Sequence, residues 1–348
     1  MAENSKVEWT HHTFNPWMGC TKVSPACKHC YAERDFDHRL RQVQWGPNGT
    51  RVLTSDANWA KPLKWNRDVE KEYEIAQAQW VADCCVGTKS YPEPELQQFR
   101  KRVFCASLAD VFEDWQGPIL NSKGERLWID SASSTWLFSS KEESERSELA
   151  RQRGVEAGTM SDVRSRLFAL IDATPNLDWL LLTKRPENIS GMLFDPDSLN
   201  GHKYRENVWL GTSVENQEYA HERIPQLLRC RDLSPVLFLS CEPLLGPVQL
   251  CDLERESEDG QAFDWLSSAG INWVIAGGES GPEARPTDPE WFRSLRDQCR
   301  TAKVPFLFKQ WGEHDENLER VGKSRAGRML DGVLHDEFPR SSPSPRTA

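Results

Sequence analysis

The chain has 348 residues, with 43 Lys and Arg against 53 Asp and Glu and a formal net charge of −10. That length can bury a large core, as one big domain or two small ones, and the acidic balance argues against a general nucleic-acid binder. The polar start, Met1 to Glu8, predicts no signal peptide; the lack of any apolar run of roughly eighteen residues predicts no transmembrane span and no membrane partner.

In chain order, the first polar candidates are His11 and His12, just before Asn15-Pro16. Next comes a C-x6-C-x2-C run of Cys20, Cys27 and Cys30. Three thiolates on one short loop can hold three corners of a [4Fe–4S] cubane, which otherwise takes four protein ligands. An iron left open in this way suits substrate or cofactor binding, as in catalytic metal sites. A structural zinc knuckle stays open as the alternative, because Cys-x2-Cys pairs build those too. His29 is a poor fourth ligand, since a group wedged between Cys27 and Cys30 would strain so short a chelate. An odd set of three does not make a disulfide framework. The other seven cysteines (Cys84, Cys85, Cys105, Cys230, Cys241, Cys251 and Cys299) follow no framework spacing, which fits a reducing compartment and a cytoplasmic location. Residues 1–67 carry ten Lys and Arg against six Asp and Glu. A basic rim there suits a phosphate-bearing substrate; ordinary surface variation is the alternative.

Six near-continuous apolar runs follow: 102–107, 177–183, 207–212, 235–240, 272–277 and 304–309. Most end in small or polar residues, as buried parallel strands do. Between them, 161–173 places Val163, Leu167, Leu170 and Ile171 on one helical face, with Ser161 as its cap. Residues 288–302 do the same with Trp291, Phe292, Leu295 and Cys299, after Pro289 in the first turn. This alternation predicts an α/β fold, an incomplete (β/α) barrel of about six parallel strands or an open sheet, with its chemistry at the C-terminal strand ends. Residues 113–160 are polar and read as an insertion, partly disordered or a lid. The core domain is expected over 1–335, with 336–348 a disordered tail; the last nine residues hold no large apolar side chain.

Two strand ends stand out. In Gly277-Gly278-Glu279-Ser280-Gly281 the glycine pair allows close backbone approach, and Glu279 is a substrate ligand or proton acceptor unless the motif is a structural turn. Glu242 follows Phe238 and Ser240 at period two, which makes it a lumen-facing carboxylate or half of an ion pair. The fifteen Trp are expected to be mostly core, with Trp17, Trp115 or Trp311 as stacking candidates for adenine or a base.

Asn15-Pro16-Trp17-Met18-Gly19-Cys20 with Cys27, Cys30 and Tyr31 closely resembles the phage Gp37/Gp68-like proteins, a domain of unknown function (DUF5131). That group is similar to the radical S-adenosylmethionine superfamily and to spore photoproduct lyase. The resemblance covers most of 7–112 and 160–335. It continues in Leu182-Thr183-Lys184-Arg185-Pro186, Gly211-Thr212-Ser213-Val214-Glu215, Ser240-Cys241-Glu242-Pro243-Leu244, Gly277 to Gly281 and Phe308-Lys309-Gln310-Trp311-Gly312. Its first cysteine spacer is six residues, where three is usual in the superfamily.

The resemblance implies a [4Fe–4S] cluster on Cys20, Cys27 and Cys30, with S-adenosylmethionine on the open iron, cleaved by an external electron donor to a 5′-deoxyadenosyl radical. It implies cofactor contacts from Ser107, Lys184, Ser213 and Glu215 at successive strand ends. Lys184 would face the cofactor carboxylate. A solvated Lys184-Arg185 pair and turn hydroxyls at Ser107 and Ser213 are the plainer alternatives. Cys105 would be a hydrogen-atom donor as in the lyases, although a buried core Cys is commoner. The favoured substrate is a nucleic acid or nucleotide. Modification of a peptide or partner protein, and a non-catalytic metal-stabilised binding module, remain the alternatives.

Overall fold

The computed structural model of the protein describes residues 3–86, 92–130, 135–139, 154–193, 203–252, 263–267 and 270–339. The strands begin with β1 (His12–Thr13), β2 (Trp17–Met18), β3 (Arg51–Leu53), β4 (Lys101–Cys105), β5 (Ile119–Leu120), β6 (Arg126–Asp130), β7 (Thr135–Ser139) and β8 (Val155–Ala157). They continue with β9 (Leu177–Thr183), β10 (Val208–Ser213), β11 (Val236–Cys241), β12 (Cys251–Asp252), β13 (Phe263–Asp264), β14 (Trp273–Gly277), β15 (Phe306–Gln310), β16 (Met329–Leu330) and β17 (Val333–Leu334).

Seven strands run parallel in one curled, open sheet, ordered β1-β4-β9-β10-β11-β14-β15, so the α/β expectation holds as a partial barrel. All six apolar runs enter it. The strand count differs from the expected six because β1 was not legible: it is two residues long, too short to show a period, and pairs His12 with Val103. Nearly every residue of β9, β10, β11 and β14 is buried, which is why these strands read as unbroken apolar runs rather than alternating ones.

The helix expected from Ser161 spans Met160–Asp172, and its cap is Thr159. The Asp162 amide donates to Thr159 Oγ1 (3.4 Å), and the Thr159 amide donates back to the Asp162 carboxylate (2.8 Å). That reciprocal Thr-x-x-Asp box satisfies two amides where a cap at Ser161 would satisfy one. Helix Pro289–Ala302 has Asp288 as its cap and closes at Lys303 with φ +57°; it buries Phe292, Leu295 and Cys299. Two longer helices were not anticipated, Gln217–Leu228 and Lys61–Val86; the latter has 26 residues and is about 39 Å long. Its surface is mostly polar, and its few buried residues, among them Trp65 and Val69, make no strong apolar stripe.

The polar stretch 113–160 supplies β5, β6, β7 and β8 to a second sheet, β2-β3-β5-β6-β7 with β8 paired to β6. Positions 131–134 and 140–153, where disorder or a lid was expected, lie outside the described residues, as does 340–348 of the expected tail. Within 336–339, Glu337 accepts from Trp273 Nε1 (2.9 Å) and Phe338 packs on the Trp273 ring at 5.2 Å. Among the described residues no helix is long and apolar enough to cross a membrane.

The chain divides into two compact units, passing from one to the other within β9. The first comprises 1–6, 10–21 and 32–179, the second 7–9, 22–31 and 180–348. In the first, Phe14 packs edge-on against Trp59 and Trp179, both at 5.5 Å. Its most buried charge is Arg51, which has no exposed surface and bonds both oxygens of Glu113 at 2.7 Å. In the second, Trp273 meets Trp9, Trp209 and Phe238 within 6.5 Å, and Phe292, Phe308 and Trp311 form a second aromatic cluster.

Arg51→Ala leaves the Glu113 carboxylate buried without its partner, which costs about 3–5 kcal/mol for a pair of this kind. The double variant Arg51→Met/Glu113→Leu should recover much of that loss. Urea denaturation at neutral pH measures both, and a loss under about 1 kcal/mol for Arg51→Ala would contradict the account.

Candidate functional site

The cysteine loop starts where β2 ends. Gly19 adopts φ +109°, and a Cβ there would lie 2.4 Å from the Thr50 carbonyl, so only glycine fits. Its amide donates to Leu108 O (3.0 Å), which places the loop beside the residues that follow β4. Cys20 O accepts from the Gly46 amide (2.9 Å). Next to it, Thr21 Oγ1 accepts from Arg51 (2.9 Å), and the Arg51 guanidinium also lies 3.9 Å from the centre of the Trp115 ring. Cys27 ends a short 3-10 turn, Pro25–Cys27, with Ser24 Oγ 3.8 Å from its sulfur. Cys30 precedes the helical turn Tyr31–Glu33. All three cysteines are half-buried, and none forms a disulfide.

His29 turns away from ligand duty: its Nδ1 lies 2.8 Å from the Glu283 carboxylate. Among the described residues no three His, Cys, Asp or Glu side chains are close enough to hold one metal ion. The donor chemistry nevertheless fits an iron–sulfur cluster. Three thiols outside any disulfide are the kind of ligand a cubane takes, and the cubane holds its sulfurs farther apart than a single ion does.

Asn15 organises the end of β4. Buried itself, it donates to Ser107 Oγ (2.9 Å) and accepts from the Leu108 amide (2.7 Å). Its carbonyl accepts from Thr54 Oγ1 and Asn58 Nδ2. Ser107 is thus oriented at the C-terminal end of its strand. The motif Asn15-Pro16 was visible in the sequence; the role of the amide was not, because its partner lies 92 positions away.

In the second unit the structure brings Lys184 and Ser213 together, with Nζ donating to Oγ at 3.1 Å. Both sit at C-terminal strand ends, of β9 and β10. Glu215, two residues on, is fully buried, and Arg223, which the sequence reading missed, donates to both Glu215 Oε2 (2.8 Å) and Ser213 O (2.9 Å). Glu215 Oε1 and Arg223 Nε are buried without a hydrogen-bond partner among the described residues. The two further strand-end carboxylates are also matched by cations. Lys309 pairs with Glu242, which lies over Gly277. Arg285 holds Glu279 through its guanidinium Nε and Nη2 (2.7 and 2.6 Å) and its amide (2.8 Å). Burial by itself would raise the Glu279 carboxyl; the Arg285 bonds overcome it and set it below the ordinary value. Gly278 lets this loop reach β15, since a Cβ there would lie 1.8 Å from Trp311 O.

The remaining candidates are buried or half-buried in the fold. Cys105 has no exposed surface, and burial pushes its thiol well up, so it stays protonated. Trp17 and Trp311 are core, Trp311 donating to Met329 O; Trp115 covers Arg51. His12 stacks on Trp65 at 4.3 Å. His11 Nδ1 accepts from the Arg102 amide (2.8 Å). Burial first, then the charges of Arg102 and Lys101, lower the His11 pKa to about 4.

A family model described as "Protein of unknown function (DUF5131)" matches residues 4–153 and 154–339. No curated protein and no solved structure matches the chain.

A histidine that is neutral when folded and charged when unfolded binds fewer protons in the native state between its two pKa values. Stability is therefore full above about pH 6.5 and falls as the pH drops towards about 4, the value that His11 reaches in the fold. His11→Asn keeps an acceptor for the Arg102 amide and does not titrate. It should flatten a large part of the stability slope across that window, measured by denaturation at stepped pH, with a residual slope from His12, whose pKa burial also lowers. An unaltered slope would show that His11 is not the source.

Proposed function

The chain belongs to the DUF5131 family of proteins of unknown function, and we propose that it is a radical S-adenosylmethionine enzyme with a [4Fe–4S] cluster on Cys20, Cys27 and Cys30. The observation that carries this reading is the donor set: three half-buried cysteines within one short stretch, none in a disulfide, whose first member follows Gly19, bonded to Leu108 beyond β4. When bound, the cluster supplies the electron that splits S-adenosylmethionine into methionine and a 5′-deoxyadenosyl radical.

The protein's part is to bind and orient. Lys184, steadied by Ser213, presents a cation for the cofactor carboxylate. Ser107, oriented by Asn15, and Ser213 offer hydroxyls. Glu215 keeps one carboxylate oxygen for a ribose hydroxyl or an amino group, while Arg223 balances its charge. Glu242 and Glu279, each matched by a cation, are acceptors for a proton or a substrate hydroxyl. The favoured substrate is a nucleic acid or nucleotide, supported by the basic run of residues 1–67. The electron comes from an external donor protein, and the expected setting is the cytoplasm.

Protein purified and reconstituted without oxygen should be brown and bind about four irons per chain. It should release 5′-deoxyadenosine from S-adenosylmethionine after dithionite reduction. Replacing Cys20, Cys27 and Cys30 with Ala should abolish both. Stoichiometric zinc without iron would sink the reading, and an intact cluster without 5′-deoxyadenosine would favour a binding module.

Lys184→Ala removes no thiolate, so iron content should stay unchanged. Loss of a charge-assisted hydrogen bond costs about 1.5–3 kcal/mol, or roughly ten- to a hundredfold in S-adenosylmethionine affinity. Ser213→Ala should cost less, about 0.5–1.5 kcal/mol. Anaerobic isothermal titration reads both, and equal affinity in wild type and both variants would remove these residues from the site.

A further inference from the structure

The first unit contains a cleft of about 670 Å³, within the roughly 300–1,000 Å³ range of small-molecule sites. Its floor includes two buried apolar side chains, Val43 and Val52. Its rim is polar and exposed: His38, Arg41, Gln42 and Gln44.

The backbone of that rim is unusual. Arg34–Arg39 form a π-helix, a rare conformation concentrated at functional sites. It closes on Arg41 at φ +52°, where the Arg41 amide donates to Asp37 O (3.1 Å) and the Gln42 amide to Phe36 O (2.8 Å). This left-handed closing position ordinarily takes glycine, because a Cβ there is strained. The Asp37 carboxylate, which also lines the cleft, is engaged by the Trp45 amide (2.7 Å).

We propose that this cleft binds a 5′-nucleotide, with Arg41 on the phosphate and the amides of Gln42 and Gln44 at the base edge over Val43 and Val52. A guanidinium matches phosphate geometry with paired donors. Primary amides both donate and accept, as a base edge requires, and the two valines give a flat ring an apolar seat. The cleft backs onto the cysteine loop: a Cβ on Gly19 would lie 3.0 Å from Val43 Cγ2, and the Gly46 amide bonds Cys20 O. As the seat of a substrate the assignment rests on the radical chemistry proposed above; as a binding site it stands on the cleft alone.

Isothermal titration of the full chain with each of the four nucleoside 5′-monophosphates, and with a short single-stranded DNA, tests it. At least one of these should bind saturably. Arg41→Gly, which suits the left-handed backbone and should keep or raise Tm, should weaken binding tenfold or more; Gln44→Ala should weaken it by a smaller factor. Binding of a monophosphate identifies a free nucleotide as sufficient, whereas binding of the strand alone identifies a nucleotide within a chain. Binding by neither, or equal binding by Arg41→Gly, overturns the proposal. Binding in protein that makes no 5′-deoxyadenosine supports the cleft while the radical reading fails; 5′-deoxyadenosine without nucleotide binding does the reverse.

Discussion

A guanidinium with no exposed surface organises the cysteine-bearing end of the first unit. Arg51 sits on β3 and spends its donors on Glu113, on its neighbour's carbonyl and on Thr21, one residue past Cys20. A buried charge of this kind is tolerated only when its partners are in place. Its ion pair therefore couples three distant stretches of chain: the segment after Cys20, the start of the second sheet, and residue 113 just beyond the β4 end. Trp115 closes the remaining face. The chain beside Cys20 is thus tied to a charge network through Thr21, while the Cys20 side chain stays half-exposed.

The strand ends of the second unit follow a related logic. Each carboxylate there has a cation of its own: Arg223 for Glu215, Lys309 for Glu242, Arg285 for Glu279. Such matching keeps acidic groups at the mouth of a sheet without a net field that would repel an anionic ligand. It also holds Glu279 rigid, because a carboxylate gripped at three points has few rotamers left. Glu215 is the exception in detail, with one buried oxygen left over, and a buried polar atom without a partner calls for a water or a ligand.

Glycine and arginine divide the close contacts of the cysteine region between them. Gly19 lets the loop lie against the Thr50 carbonyl, where any side chain would collide. Arg41 does the opposite, holding a long cation at a backbone position that glycine would occupy with less strain. The first serves packing alone. The second gives up some stability, as Lys303 does at the end of its own helix.

The six long strands of the sheet, the helices starting at 160 and 289, and the cysteine loop were legible because each is local: a run buried on both faces, a repeat of apolar residues near 3.6, three thiols within eleven positions. Strand β1 and the strands of the second sheet were not, since β1 is only two residues long and the others lie in short or polar stretches without a continuous apolar run, paired with neighbours that the local pattern does not reveal. The long helix Lys61–Val86 escaped for want of an apolar stripe. The candidate residues Lys184, Ser213, Glu215, Glu242 and Glu279 could be picked from strand ends, but their partners could not. Arg223 lies eight positions from Glu215 on a helix, Lys309 lies 67 from Glu242, and Arg51 lies 62 from Glu113. Sequence alone determined which segments bury themselves and which side chains carry chemistry, because burial and donor type are properties of single residues and their near neighbours. Tertiary structure decided which charge neutralises which, which carboxylate oxygen is left over and where a cleft opens, because those depend on the meeting in space of residues that the chain keeps far apart.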